Sequence, residues 1–152
     1  PAYLLLEETT TIDLTGEQLV GTLPSELGLL TKLGDLKLSG NLFTGQIPSE
    51  LGLCTQLINV HLFDNLLTGS IPSEMGNLAT FSFPGSKMNF QNNLMTGAIP
   101  SELGNSGSLI ELTLQGNYLS GSIPTSLCRL PNLIMLDLSG NTLAGKIPAE
   151  FD

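Results

Sequence analysis

The sequence predicts an α/β solenoid, in which coils of about two dozen residues stack with their strands in one parallel sheet and a short helical or 3₁₀ turn on the far side. Three observations predict it. A phrase of eight residues, Asn-x-Leu-x-Gly-x-Ile-Pro, recurs at a nearly constant interval. The leucines ahead of each copy alternate with other residues at period two. Gly (17) and Pro (9) are plentiful while charged residues make up only 12% of the 152 positions, which suits many turns and short elements rather than long helices.

The repeated phrase opens at Asn41 (NLFTGQIP), Asn65 (NLLTGSIP), Asn93 (NLMTGAIP), Asn117 (NYLSGSIP) and Asn141 (NTLAGKIP), with a degenerate copy, EQLVGTLP, at Glu17. The intervals between successive copies are 24, 24, 28, 24 and 24 residues. A fixed period of this size is the signature of a repeat architecture. Ahead of the asparagines stand Leu33, Leu36 and Leu38; Leu57, Val60 and Leu62; Leu109, Leu112 and Leu114; and Leu133, Leu136 and Leu138. Their alternation is that of a half-buried strand. After Ile-Pro comes Ser-Glu-Leu-Gly or a variant in most copies, which reads as a single helical or 3₁₀ turn with Ser available as N-cap.

A coil of this length cannot bury its own leucines, so it needs a neighbour on each side. Stacking places the strands about 4.8 Å apart and joins the leucines into one core. The recurring Asn is placed to donate to and accept from the backbone of adjacent coils where the strand ends. Glu17 breaks that file. The fourth coil carries four extra residues within 81–87, FSFPGSK, after which Met88 and Phe90 take the usual strand leucine positions. That insertion reads as a surface bulge or as a loop presented to a partner. The whole of 1–152 is expected to form a single domain of about six coils.

These motifs identify the chain as a member of the leucine-rich-repeat family, and over about residues 9–152 it resembles the plant-type subclass marked by Leu-x-Gly-x-Ile-Pro. The subclass is found in receptor-kinase ectodomains and polygalacturonase-inhibiting proteins, and similar repeats occur in algae such as diatoms. The resemblance implies a right-handed superhelix whose main sheet lines the concave face, with a second short sheet on the flank. It also implies an extracellular or cell-surface setting. Against that setting, the chain lacks the Cys-pair caps and the Asn-x-Ser/Thr sequons usual in secreted relatives, so an intracellular or organellar location stays open.

Charge and residue types bound the function. The net charge of −9 disfavours double-stranded nucleic acid and bare anionic membranes, both of which select basic surfaces. No apolar run reaches the roughly 18–20 residues that span a bilayer, so direct membrane insertion is not expected. Cys54 aligns with the core column Leu30, Leu78 and Leu130; Cys128 aligns with Gly28, Gly52, Gly76 and Gly104. Three coils separate the two cysteines by about 14 Å, twice the roughly 7 Å that a disulfide tolerates, so both are expected as thiols. His61, the one histidine, faces away from the core without a second His or a Cys cluster to complete a metal site. No nucleophile–base pair or phosphate loop accompanies it. No cofactor is expected, and the chain reads as a non-catalytic binding module.

The partner surface is read from strand positions that are not leucine. Column by column these are Thr11, Asp35, Asn59, Lys87, Glu111 and Met135; then Asp13, Lys37, His61, Asn89, Thr113 and Asp137; then Thr15, Ser39, Phe63, Gln91, Gln115 and Ser139. They vary while the leucine columns do not. The candidate site is Asp35, Lys37, Asn59, His61, Phe63, Asp64, Lys87, Asn89, Gln91, Glu111, Thr113 and Gln115, with Phe63 as an exposed aromatic anchor. Two further files stand out: Glu26, Glu50, Glu74, Glu102 and Glu150 at a turn start, and Thr44, Thr68, Thr96 and Ser120. The first suits a helix-start preference or a basic partner, the second the geometry of an ice-binding array. A protein or peptide ligand on the concave face is the leading expectation. A structural subunit docked in a larger complex is the alternative, with polysaccharide or ice binding after it.

Overall fold

A computed structural model of the chain describes residues 8–78 and 85–149. Six strands, Thr11–Asp13, Asp35–Lys37, Asn59–His61, Ser86–Asn89, Leu109–Thr113 and Met135–Asp137, form one parallel sheet in chain order. One strand belongs to each coil, and the coils are numbered one to six accordingly. The register follows the repeat: Leu36, Val60, Met88, Leu112 and Leu136 stand side by side, with Ile12 at the first edge. Met88 and Phe90 are buried in the leucine positions of coil four. Lys87 lies opposite Asn59, so the ladder is in frame again at coil four, and a bulge between coils four and five sits at Ser86 and Lys87. Residues 81–84 of the insertion lie outside the described residues.

The core is one file-like cluster running the length of the sheet. Leu33, Leu36, Leu57, Val60, Leu109 and Leu112 are all but sealed from solvent, and Cys54 sits in the same column as buried Leu30, Leu78 and Leu130. Cys54 and Cys128 are both thiols. The Cys54 thiol donates to the Leu27 carbonyl at 3.1 Å, and burial pushes its pKa up.

The asparagine file does what its position requires. The Asn65 Nδ2 donates to the carbonyls of Leu38 in the preceding coil (3.0 Å) and Leu62 in its own (3.1 Å), while its Oδ1 accepts the Phe43 N–H at 3.0 Å. Asn41, Asn93, Asn117 and Asn141 repeat the pattern, serving the N–H groups of Leu19, Leu67, Met95 and Leu119. The N–H groups of Phe43, Leu67, Met95 and Leu119, which belong to buried residues, would otherwise be left without a partner.

Five turns on the far side, beginning at Ser25, Ser49, Ser73, Ser101 and Thr125, are all 3₁₀, and no α-helix occurs among the described residues. The serines do not cap them. Pro24, Pro48, Pro72, Pro100 and Pro124 hold the cap position in extended conformation, without a side-chain cap bond. Proline's fixed φ lets the turn start one residue earlier than the expected Ser cap. The serine hydroxyl instead donates to the next carboxylate, as Ser49 does to Glu50 at 3.3 Å. Gly28 and Gly52 mark where neighbouring turns meet: a Cβ on either would lie 2.5 Å from the carbonyl oxygen of Glu50 or Glu74 in the next coil.

The flank sheet exists in two pieces, Val20–Thr22 with Leu42–Thr44, and Thr96–Ala98 with Tyr118–Gly121 and Thr142–Leu143. Coil three bridges them without strand geometry. The Thr68 N–H still donates to Gly45 O and the Thr96 N–H to Gly69 O, each at 2.8 Å.

Candidate functional site

The strands alternate one residue into the core and one onto the open face of the sheet. Along one row of that face Asp35, Asn59, Lys87 and Glu111 are consecutive partners; along the next, Lys37, His61, Asn89 and Thr113. Phe63, Gln91 and Gln115 form the third row. There the Asp64 N–H donates to Gln91 O at 3.1 Å and the Asn92 N–H to Gln115 O at 2.9 Å. Eleven of the twelve sequence-derived positions therefore share one surface, and Asp64 stands at its rim.

Side chains on this face pair across coils. Asn59 donates to the Asp35 carboxylate at 2.5 Å. Lys87 meets Glu111 at 3.1 Å, and Lys37 meets Asp13 at 3.6 Å. The Gln115 Nε2 donates to Gln91 Oε1. His61 and Phe63 lie with ring centres 6.1 Å apart, tilted by 49°. Burial lowers the His61 pKa below 6.5; Glu111 opposes that shift, Lys37 and Lys87 add to it, and Asp35 opposes it. The ring is thus neutral at pH 7 and offers one donor and one acceptor. Asp13 and Asp137 have lowered pKa values, chiefly from the Thr15 and Ser139 hydroxyls that they accept, and then from those residues' backbone N–H groups.

Two expectations need correction. Phe63 is half-buried rather than freely exposed, because the His61 ring leans against it. Thr113 was expected to point into solvent and is only 4% exposed. It is a short side chain hemmed by longer ones, with Glu111 on its own strand, Gln115 just past the strand's end, and Asn89 and Asp137 beside it. Its Oγ1, like the Oε1 of Gln115, is buried without a hydrogen-bond partner.

The sequence reading missed two features of the surface. The position before each asparagine, and before Glu17 in coil one, has positive φ throughout: Gly16, Gly40, Gly116 and Gly140 at +63 to +74°, but Asp64 at +54° and Asn92 at +52°. A non-glycine residue is strained there, Asp and Asn least so. The Asn92 Nδ2 donates to Asp64 Oδ1 at 2.7 Å, tying the two rims together. The signal for Asn92 was available as the second departure from glycine in that column. The other feature is a strip of exposed apolar side chains just after the asparagines, Leu42, Leu66, Leu94 and Tyr118.

On the other side of the coils a groove of about 620 Å³ runs between the Ile-Pro segments and the serine–glutamate turns, with Glu50 and Glu74 in its wall. Glu26, Glu50, Glu74 and Glu102 are exposed, as are Thr44, Thr68, Thr96 and Ser120; Glu150 lies outside the described residues. Among the described residues, no group of three or more His, Cys, Asp or Glu is placed to hold a metal ion, and no helix is long and apolar enough to cross a membrane.

The leucine-rich-repeat family model matches residues 32–54, 108–130 and 132–152. No curated protein sequence matches the chain. Solved structures do. The ectodomain of the receptor kinase GASSHO1/SCHENGEN3 from Arabidopsis thaliana, in complex with CASPARIAN STRIP INTEGRITY FACTOR 2, is 45% identical over 88% of this chain and 16% of its own, with a TM-score of 0.83. The plant peptide hormone receptor RGFR1, in complex with RGF2, is 36% identical over 96% of this chain and 23% of its own, with a TM-score of 0.91. A chain of the BIR3–SERK2 complex from Arabidopsis thaliana is 36% identical over 89% of this chain and 69% of its own, with a TM-score of 0.73. The chain spans less than a quarter of the two receptors matched first.

Proposed function

The chain belongs to the leucine-rich-repeat family of the plant receptor-ectodomain type, and from that premise we propose that it is a non-catalytic recognition module that binds a protein or peptide on the open, concave face of its sheet. The observation that carries the reading is the make-up of that face. Half-buried polar side chains of both charges are held in cross-coil pairs, Asp35 with Asn59, Lys87 with Glu111 and Gln91 with Gln115. The apolar strip of Leu42, Leu66, Leu94 and Tyr118 lies along one edge. A polar surface beside apolar area has the composition of a non-obligate protein interface.

Likeness supports the same reading. The similar structures include a plant peptide hormone receptor in complex with RGF2, and the Arabidopsis receptor kinase HAESA in complex with the peptide hormone IDA and the co-receptor SERK1. Asp64 and Asn92 add a local argument, since backbone strain tends to gather at functional sites. The pairing already present means that little side-chain freedom is lost when a ligand docks. His61 and Phe63 supply the central aromatic contact, and the candidate partner-binding set of twelve residues surrounds them.

The test is a peptide selected from a displayed random library against the whole chain. The double variant His61→Ala/Phe63→Ala should weaken the selected peptide at least about tenfold, the loss of one well-buried contact. Glu50→Gln/Glu74→Gln, in the groove on the other side, should leave it unchanged. The reverse pattern would move the binding surface to the groove.

A further inference from the structure

We infer that Thr113 and Gln115 form an anchoring subsite for a main-chain amide of a peptide ligand. The inference rests on the concave-face reading and names the chemistry that the face selects. Two polar atoms on that face, Thr113 Oγ1 and Gln115 Oε1, are buried with no hydrogen-bond partner. A buried polar atom left unmatched costs about 1–3 kcal/mol, and the surroundings show why these two are left over. In the same row the Asn89 Oδ1 accepts its own downstream N–H, that of Gln91, at 3.3 Å. The Asp137 Oδ1 accepts both the N–H and the hydroxyl of Ser139, at 3.0 and 2.7 Å. Gln115 uses its Nε2 on Gln91, which turns its oxygen away from the pair. Glu111 is held by Lys87.

The leftover groups define the ligand. Gln115 Oε1 only accepts, so it calls for an N–H. The Thr113 hydroxyl has a proton to donate, so it calls for a carbonyl. An amide supplies both. A carboxylate would leave Gln115 Oε1 unmatched and would approach Glu111 and Asp137. An ammonium group offers no acceptor to the Thr113 proton. The two residues stand two apart, Thr113 ending the strand Leu109–Thr113 and Gln115 just beyond it, a separation of about 6.6 Å for extended chain, which is the repeat of an extended peptide lying on the face. The longer side chains around Thr113 part to admit the ligand, while Gln115 keeps its bond to Gln91.

Thr113→Val keeps the shape and removes the hydroxyl. In the free protein it should raise the melting temperature, because an unmatched polar group is replaced by an apolar one. The library-selected peptide should bind this variant about tenfold more weakly and bind Thr113→Ser normally. Methylating one main-chain nitrogen of the peptide should cost a similar factor, and the two losses should not add when combined. A peptide that binds Thr113→Val as well as the natural chain, yet is lost with His61→Ala/Phe63→Ala, overturns the subsite and leaves the concave-face reading standing. A loss on Thr113→Val that follows an Asn or Gln side chain of the peptide, and no N-methylation, overturns the main-chain assignment. A library that yields no binder, or one indifferent to all these variants, overturns both.

Discussion

Coils five and six have nearly the same sequence logic and very different surroundings. Leu112 and Leu136 are register partners, as are Glu111 and Met135, and Thr113 and Asp137. Leu109, Leu112 and Leu114 are completely buried, whereas Leu133, Leu136 and Leu138 are only partly so. Ile134 is 84% exposed, while its counterpart Ile110 is half-buried. Coil five has described neighbours on both sides and coil six on one. The difference teaches that a leucine in this fold is not buried by its own coil. The repeat supplies the side chain, and the adjacent coil supplies the interior.

That contrast can be broken by mutation. Leu112→Ala should cost about 3–4 kcal/mol, a transfer loss plus a cavity that rigid neighbours cannot close. Leu136→Ala should cost about 1 kcal/mol, because its side chain already meets solvent. Urea unfolding midpoints measure both, and equal costs would refute the neighbour argument. The asparagines give a smaller version of the test. Asn65→Ala strands the Phe43 N–H and the carbonyls of Leu38 and Leu62, and should cost about 2–3 kcal/mol. Asn141→Ala should cost nearer 1 kcal/mol, since Asn141 is itself only partly buried and its bonds are made partly in contact with solvent.

The smallest effect is a titration. His61, on an interior strand, has its pKa lowered by burial, whereas Asp137, on the last, has its pKa lowered by its own Ser139 turn. The neutral His61 ring is the favoured folded form. Its contribution to stability is therefore complete above pH 6.5 and is lost as the pH falls from 6.5 toward the lower folded value. The Asp137 contribution is present above 3.8 and is lost only as the pH falls through its own depressed value. Proton NMR of the His61 ring should give a midpoint below 6.5, and His61→Gln should flatten the stability curve just below that pH. A midpoint at or above 6.5 would mean that the face is wetter than its geometry implies.

Much of this was legible because the period does the work of a structure. The 24-residue interval, with its one lengthening to 28, fixes the strand register, so the rows Asp35–Asn59–Lys87–Glu111 and Lys37–His61–Asn89–Thr113 could be written down from the repeat alone. The asparagine file and the absence of a bond between Cys54 and Cys128 followed from the same spacing. What escaped were properties set by neighbours of unequal size. Thr113 is covered because the residues around it are longer, and alternation alone assigns it to solvent. The flank sheet fades at coil three although Thr68 keeps its backbone bond, a matter of strand geometry and not of residue pattern. Ser49 and its equivalents look like caps in sequence, and the preceding proline takes that position.

The asparagine bonds also have a direction. Each Oδ1 reaches back to an N–H of the coil before it: Asn41 to Leu19, Asn65 to Phe43, Asn93 to Leu67. No coil can close its own open donor. A coil with no follower therefore leaves this amide without its partner, together with strand amides such as those of Leu38 and Gly40, which donate forward to the carbonyls of His61 and Phe63 in the next coil. Each coil stacked on the carboxyl side thus locks the one before it, and the polarity of the solenoid is written into which side holds the acceptor.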